Sequence, residues 1–191
     1  MKKEMSVNKK AAMELSISTI VIIVLAMSML ILGIVLVRNI FDSSNNAVDS
    51  INDGVINAIN ELFTDSSQKL AFYPSTREIK LKQGDTGAGL AFSIRNTGNT
   101  EKKLTYQIAV DDGFNIGQKC QGTTAREADN WLSSSGGSFS LGPGQKLDLP
   151  ELVTFTLPDN APLCTVIYRL QVKEGTDTYT GAAFKVIIGP K

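Results

Sequence analysis

The sequence predicts an α+β protein, in which a long hydrophobic N-terminal helix precedes an all-β antiparallel sandwich. Three observations support this fold class. Leu15 to Val37 is an apolar run of 23 residues without a charge. The residues that follow repeat their apolar positions with the period of a helix. From about Ser66 onward, the apolar positions alternate with a period of two, which is typical of strands with one buried face.

The composition excludes several classes of function. The chain has 191 residues, no histidine and two cysteines, which rules out His-based catalytic triads, HExxH zinc sites and four-cysteine metal sites. Its 19 basic and 19 acidic side chains give a net charge of zero, so bulk charge gives no reason to expect nucleic-acid binding. We therefore expect no metal and no cofactor, and the sequence identifies no small-molecule substrate.

The apolar run is long enough to cross a membrane. As a helix it would extend for about 35 Å, whereas the hydrocarbon core of a bilayer is about 30 Å thick. The alternative is a buried helix of a globular core, but such helices normally carry a polar stripe. The predicted membrane or filament-core residues of this run are Leu15, Ile20, Val24, Leu30, Ile34 and Val37.

The charges on either side predict the orientation. Four lysines and one glutamate precede the run, so residues 1–11 have a net charge of +3: Lys2, Lys3, Lys9, Lys10 and Glu4. Arg38 is the one basic residue directly after the run. Because positive flanks stay in the cytoplasm, we expect a single-pass protein with its N-terminus inside and the rest of the chain outside.

The run also differs from an ordinary secretory signal. It exceeds the 7–15 residues of a typical apolar signal core, and no small-x-small cleavage pattern closes it. We therefore expect the helix to be retained in the protein.

A second apolar stripe continues beyond the run. Its members are spaced at helical intervals: Phe41, Val48, Ile51, Val55, Ile59 and Leu62. One rod from Ala12 to Phe63 would be about 78 Å long at the helical rise. The alternative is a short separate helix that lies on its own globular domain, since an apolar stripe must be buried against something.

The basic leader, the small residue and the long apolar helix resemble a type IV pilin, and more narrowly the archaeal pilins and archaellins with class III signal peptides. The resemblance covers residues 1 to about 64. It implies that a prepilin peptidase cuts after Lys10-Ala11, so that Ala12 begins the mature chain and residues 12–64 pack in a filament core. Glu14 departs from the bacterial pattern, because it would be the third mature residue rather than the fifth. A carboxylate there also suits the N-terminus of any helix.

Residues 65–191 are predicted to form the outer domain, with seven to nine short strands. Five strands are predicted from the alternation of apolar and polar residues, around Leu90–Ile94, Leu104–Val110, Val153–Leu157, Val166–Val172 and Phe184–Ile188. Gly and Asn turns separate them, and Glu174–Asp177 is predicted to close a hairpin. The irregular stretch from Gly117 to Ser138 is predicted to contain one short helix between Thr124 and Trp131. The passages Asn96-Thr-Gly-Asn99 and Leu141-Gly-Pro-Gly-Gln145 resemble immunoglobulin-like domains of prokaryotic surface proteins.

The two cysteines are predicted to form a disulfide. Outside the membrane, oxidising conditions favour a Cys120–Cys164 bond; the alternative is two free buried thiols. Two acidic motifs are interpreted as turns. Asp85-Thr86-Gly87 lacks the second carboxylate that an aspartic protease needs, and Asp111-Asp112-Gly113 lacks the spaced ligands of a calcium loop.

The sequence therefore predicts a structural protein and not an enzyme. The first hypothesis is a subunit of an archaeal pilus-like or archaellum-like surface filament. Its partners would be the membrane, the prepilin peptidase and further copies of itself. The alternative is a single-pass surface protein whose immunoglobulin-like domain binds a ligand or a neighbouring cell, while the helix only anchors it.

Overall fold

The computed structural model describes the backbone of residues 9–44 and 51–191, and the side chains of residues 18–35 and 51–191. The chain divides into two compact units, with the boundary between Ser44 and Asn45. The first unit contains one helix, and the second contains all the strands.

The N-terminal helix α1 spans Lys9–Ser44. A second helix, α2, spans Asp53–Leu62 and begins at the cap residue Asn52, whose side chain accepts a hydrogen bond from the Val55 amide at 3.1 Å. The predicted rod from Ala12 to Phe63 is thus two separate helices. The Asn52 cap satisfies a backbone donor that would otherwise have no partner at a helix start.

Helix α2 belongs to the second unit. Its apolar face packs Val55 and Ile59 together with Phe63 against Ala71 and Ala91 of the sheet beneath it. Among the described residues of the apolar stripe, Val55, Ile59 and Leu62 therefore pack on their own globular unit, which was the alternative interpretation of the pattern. The second unit also begins before residue 65 and is not all-β.

Eight strands and two short helices complete the second unit. The strands are β1 Leu70–Tyr73, β2 Glu78–Lys82, β3 Thr86–Ile94, β4 Lys102–Val110, β5 Gly136–Leu141, β6 Glu151–Thr156, β7 Thr165–Glu174 and β8 Asp177–Gly189. Helices α3 Ile116–Lys119 and α4 Ala125–Asp129 lie between β4 and β5. The predicted short helix near Thr124 is thus present as α4.

The strands form two sheets, ordered β1-β3-β6 and β2-β8-β7-β4-β5. All pairings are antiparallel except that of β2 with β8, which is parallel. The prediction of a purely antiparallel sandwich is corrected at this one edge. The chain passes from β1 in the first sheet to β2 in the second sheet through Pro74–Arg77. Because no hairpin joins β2 to β8, β2 is not constrained to be antiparallel to it.

Aromatic side chains dominate the core between the sheets. Phe92, Phe155, Tyr168 and Phe184 are at most 1% exposed. The Tyr168 and Phe184 rings stack with their centroids 5.6 Å apart. Burial raises the pKa of Tyr168 far above its usual range, and its hydroxyl donates a hydrogen bond to the Ala128 carbonyl at 2.8 Å. The buried hydroxyl of Tyr168 is therefore satisfied.

A disulfide ties the irregular β4–β5 connection to the start of β7. Cys120 and Cys164 are bonded, with their Cα atoms 5.4 Å apart. Helix α4 in the same connection begins with a capping box, in which Thr124 and Glu127 each bond the other's backbone amide. The hydrogen bond from the Thr124 amide lowers the pKa of Glu127.

Candidate functional site

The candidate site is the apolar surface of α1. Every described side chain from Ser18 to Val35 is exposed. The large apolar side chains range from 48% exposed at Val35 to 78% at Met29. Because six consecutive residues, 20–25, are all exposed, the apolar surface surrounds the helix and is not confined to one stripe. Such a helix needs lipid or other protein around it.

Polar groups within this segment are compatible with an apolar environment. The Ser28 hydroxyl donates a hydrogen bond to the Val24 carbonyl one turn earlier, at 2.8 Å. A side-chain hydroxyl satisfied in this way adds little cost in a membrane or a helix bundle. Ser18–Val35 is long and apolar enough to cross a membrane by length and composition.

Gly33 is the position on this surface at which a neighbouring helix could come closest to the α1 backbone. A Cβ atom added to Gly33 would meet no heavy atom within 4 Å, so the glycine is not required by any contact within the described chain. Small residues on apolar helices allow a neighbouring helix backbone to come close. Gly33 is therefore a candidate contact point between helices.

The predicted residues of this site fall into three groups. Ile20, Val24, Leu30 and Ile34 are 52–65% exposed on α1. A second group lies within the bounds of α1, but its side chains are outside the described residues: Lys10, Ala11, Ala12, Leu15, Val37 and Phe41. Val48 lies outside the described residues altogether.

The two acidic motifs of the second unit are turns. The Asp85 carboxylate accepts a hydrogen bond from the Lys82 amide at 2.7 Å, and so closes the β2–β3 turn. The Asp111 carboxylate accepts one from the Gly113 amide at 3.0 Å and also pairs with Arg169. Among the described residues, no group of three or more His, Cys, Asp or Glu side chains is arranged to hold a metal ion.

The second unit has a cavity of about 660 Å³ beside Trp131. Its walls come from the α3–α4 connection, from α4 and from the β6–β7 loop, and include Leu157, Pro158 and Pro162. Sequence reasoning did not find this cavity, because its lining comes from segments that are distant along the chain. Its lining mixes apolar side chains with amides, hydroxyls and the carboxylate of Glu127.

A scan against protein-family models found no family that matches this sequence, and a search of curated proteins found no match either. Among solved structures, PapD-like domain 7 of human CEP192 is similar, with a TM-score of 0.37 and 17% identity over 67% of this chain and 89% of that chain. A family 123 glycoside hydrolase from Clostridium perfringens has a TM-score of 0.34 and 9% identity, over 58% of this chain and 22% of the enzyme. The alkylpurine DNA glycosylase AlkC of Pseudomonas fluorescens has a TM-score of 0.34 and 14% identity, over 70% of this chain and 37% of the enzyme.

Proposed function

We propose that this protein is a structural subunit of a surface filament of the archaeal type IV pilus or archaellum kind. Helix α1 would pack with copies of itself in the filament core, and the second unit would face outward. Prepilin peptidase would remove the class III signal peptide before Ala12. The observation that carries the proposal is the apolar surface that surrounds α1 between Ser18 and Val35.

The physical argument is one of burial. A helix that is apolar on all sides is stable in lipid before assembly and among other helices after it. Head-to-tail copies that do not close into a ring make an open helical assembly, and such contacts need no catalytic residue. The basic leader, with its net charge of +3, would hold the N-terminus in the cytoplasm until processing.

We also propose that the second unit is an immunoglobulin-like sandwich outside the membrane. The neighbours β4-β7-β8 in one sheet and β3-β6 in the other correspond to strands C-F-G and B-E of that fold. The Cys120–Cys164 bond supports an oxidising location.

The decisive experiment identifies the first residue of the native protein. Mass spectrometry of a surface-filament preparation should find a peptide that begins at Ala12. The variant Ala11→Leu, which replaces the small residue before the cut, should keep the leader and leave the protein in membranes without filaments. A chain that starts at Met1 or Lys2 in the wild type, and that is found only in membranes, would rule the proposal out.

A second candidate function is a membrane-anchored surface protein. One observation favours it: α2 buries its apolar face on the second unit and leaves α1 alone to make filament contacts. Under this alternative, the Ala11→Leu variant would behave like the wild type, because no processing step precedes its function. The same experiment therefore separates the two candidates.

A further inference from the structure

The two sheets present four edge strands, and their edges differ in protection. Next to β6, the segment Trp131–Ser133 adds two backbone hydrogen bonds, from Ser133 to Thr154 at 2.9 Å and from Thr156 to Trp131 at 2.8 Å. Strand β1 has four residues and is followed directly by Pro74, and β2 carries two exposed lysines, Lys80 and Lys82. Short length, proline, charge and cover all discourage another strand from pairing.

Strand β5 has none of these protections. It reads Gly-Gly-Ser-Phe-Ser-Leu, without a charge or a proline, and its first three residues are exposed. It forms the end of the five-stranded sheet and pairs only with β4. An uncharged edge with open backbone groups is a ready template for a further strand.

The register shows which backbone groups of β5 are open. Ile108 donates a backbone hydrogen bond to Ser135 at 2.7 Å, and the same register pairs Tyr106 with Gly137. Hydrogen-bonded and non-hydrogen-bonded pairs alternate along an antiparallel ladder. The odd-numbered residues of β5 therefore bond to β4, and the amides and carbonyls of Gly136, Ser138 and Ser140 point outward. One described bond reaches them, from the Ser134 hydroxyl to the Gly136 carbonyl at 3.4 Å.

This edge is complementary to itself. Two antiparallel copies with Ser138 on the two-fold axis would place Ser138 opposite Ser138, and Gly136 opposite Ser140. Gly137 would then face Phe139 of the second copy across a non-hydrogen-bonded pair, in which side chains are closest. An aromatic ring opposite a strand glycine is a favourable cross-strand pair, since the ring covers the backbone that the glycine exposes.

The surroundings of Gly137 and Phe139 suit that pairing. The Phe139 ring stacks on Tyr106 with centroids 6.1 Å apart and is half-buried. A Cβ atom added to Gly137 would lie 2.6 Å from the Tyr106 ring, so the glycine is required by a contact within its own chain. A ring from the second copy would therefore extend an existing aromatic contact. The strand carries no charge, so its two-fold pairing brings no like charges together within it.

We propose that two copies of this protein pair through their β5 edges, as an antiparallel two-fold extension of the five-stranded sheet. One short strand from each copy buries much less than the roughly 1,200 Å² of a stable interface, so a single pair is weak and many parallel pairs are needed for a lasting contact. The pairing does not depend on the filament proposal. In a filament, successive subunits are related head-to-tail, so a two-fold contact would join neighbouring filaments.

Two single-cysteine variants of the full chain test the pairing: Ser138→Cys and Ser140→Cys. Both serines are exposed on the same strand with outward backbone groups, so each is the matched control for the other. In the proposed register the two 138 positions have Cα atoms about 5.5 Å apart, within disulfide range. The two 140 positions are separated by four residues of strand, about 14 Å, which is outside that range.

The protein is purified in detergent micelles with its native disulfide intact, oxidised with copper phenanthroline, and separated on a non-reducing gel. S138C should form cross-linked dimers at least tenfold faster than S140C. Equal rates would indicate random collision or assembly through α1, and faster cross-linking of S140C would indicate another register. Either result, or no cross-linking at all, would overturn the proposal.

A further variant tests the backbone hydrogen bonds themselves. Adding Ser140→Pro to S138C removes an outward amide and leaves the bonds to β4 in place. Cross-linking should fall to the rate of S140C, with an unchanged circular dichroism spectrum. A cross-linking rate equal to that of S138C alone would show that the contact is not a strand pair.

Discussion

Asn96 is the residue on which the loops at one end of the sandwich converge. It is fully buried, and its side-chain amide donates to the carbonyls of Thr100 at 2.7 Å, Leu141 at 2.9 Å and Gly142 at 3.1 Å. Its side-chain oxygen accepts from the Gly98 amide at 2.8 Å. One side chain thus holds the β3–β4 connection against the end of β5.

Replacing Asn96 with aspartate should strongly destabilise the second unit. The change keeps the shape of the side chain but turns a donor toward several carbonyls into an acceptor. We expect a loss of about 3 kcal/mol in the free energy of unfolding. Urea unfolding of the full chain in detergent, followed by the fluorescence of the single tryptophan, Trp131, measures this loss.

The matched control for Asn96→Asp is Asn99→Asp. Asn99 lies in the same loop and is exposed, so the same chemical change should alter the free energy of unfolding by less than about 0.5 kcal/mol. Equal effects at the two positions would contradict the role assigned to the buried amide.

Ser93 is also a buried polar residue, but it differs from Asn96 in its hydrogen bonding. It is 1% exposed, and its hydroxyl has no hydrogen-bond partner within the described part of the chain. It pairs with Ala71 across the ladder and so shares the sheet face that α2 covers. Because an unsatisfied buried hydroxyl is costly, Ser93→Ala should raise the free energy of unfolding by about 1 kcal/mol in the same urea titration. A clear loss of stability would instead show that the hydroxyl makes a needed contact.

At the scale of elements, α2 is where the predicted rod and the structure differ most. Ile59 is 1% exposed because it packs against the sheet, and so Ile59→Ala should cost the second unit about 3 kcal/mol. Trp131 fluorescence reports this loss directly, since Trp131 lies in the same unit. Asn57→Ala, on the exposed face of α2, should change the stability by less than about 0.5 kcal/mol. A continuous rod held away from the sheet predicts no effect of either change on Trp131.

The strand predictions are confirmed where one face of the strand is buried and the other is exposed to solvent. Strand β7 alternates from Val166 to Val172, and its burial follows that pattern. Strand β1 has two buried residues in succession, Ala71 and Phe72, because α2 covers one face and the other sheet covers the opposite face. Strand β5 is mostly exposed and rich in glycine and serine. Strand β1 lacks the alternation on which the sequence prediction depends, and strand β5 shows it only over its last four residues, Ser138–Leu141.

At the scale of the whole molecule, the Cys120–Cys164 disulfide links two segments that are far apart in the sequence. Cys120 and Cys164 are separated by 44 residues, which corresponds to about 4 kcal/mol if the bond acts by limiting the unfolded chain. The double variant Cys120→Ala/Cys164→Ala should therefore have a clearly lower Tm than the wild type. Adding a reductant should bring the wild type close to the variant and leave the variant unchanged. A variant as stable as the wild type would show that the bond only accompanies a loop that packing already fixes.

Local properties of the sequence were enough to predict the two kinds of structure and their order. Twenty-three uncharged residues, a basic leader and period-two alternation are local properties, and they are visible without knowing any partner. The cysteine pair was also predicted, from the expectation that this part of the chain lies in an oxidising environment. The burial of α2 on the sheet, the parallel β2–β8 edge and the open β5 edge were decided only by the tertiary structure. Each depends on which surfaces meet, and an apolar stripe or a strand edge looks the same in sequence whether it is covered by its own chain or left for another.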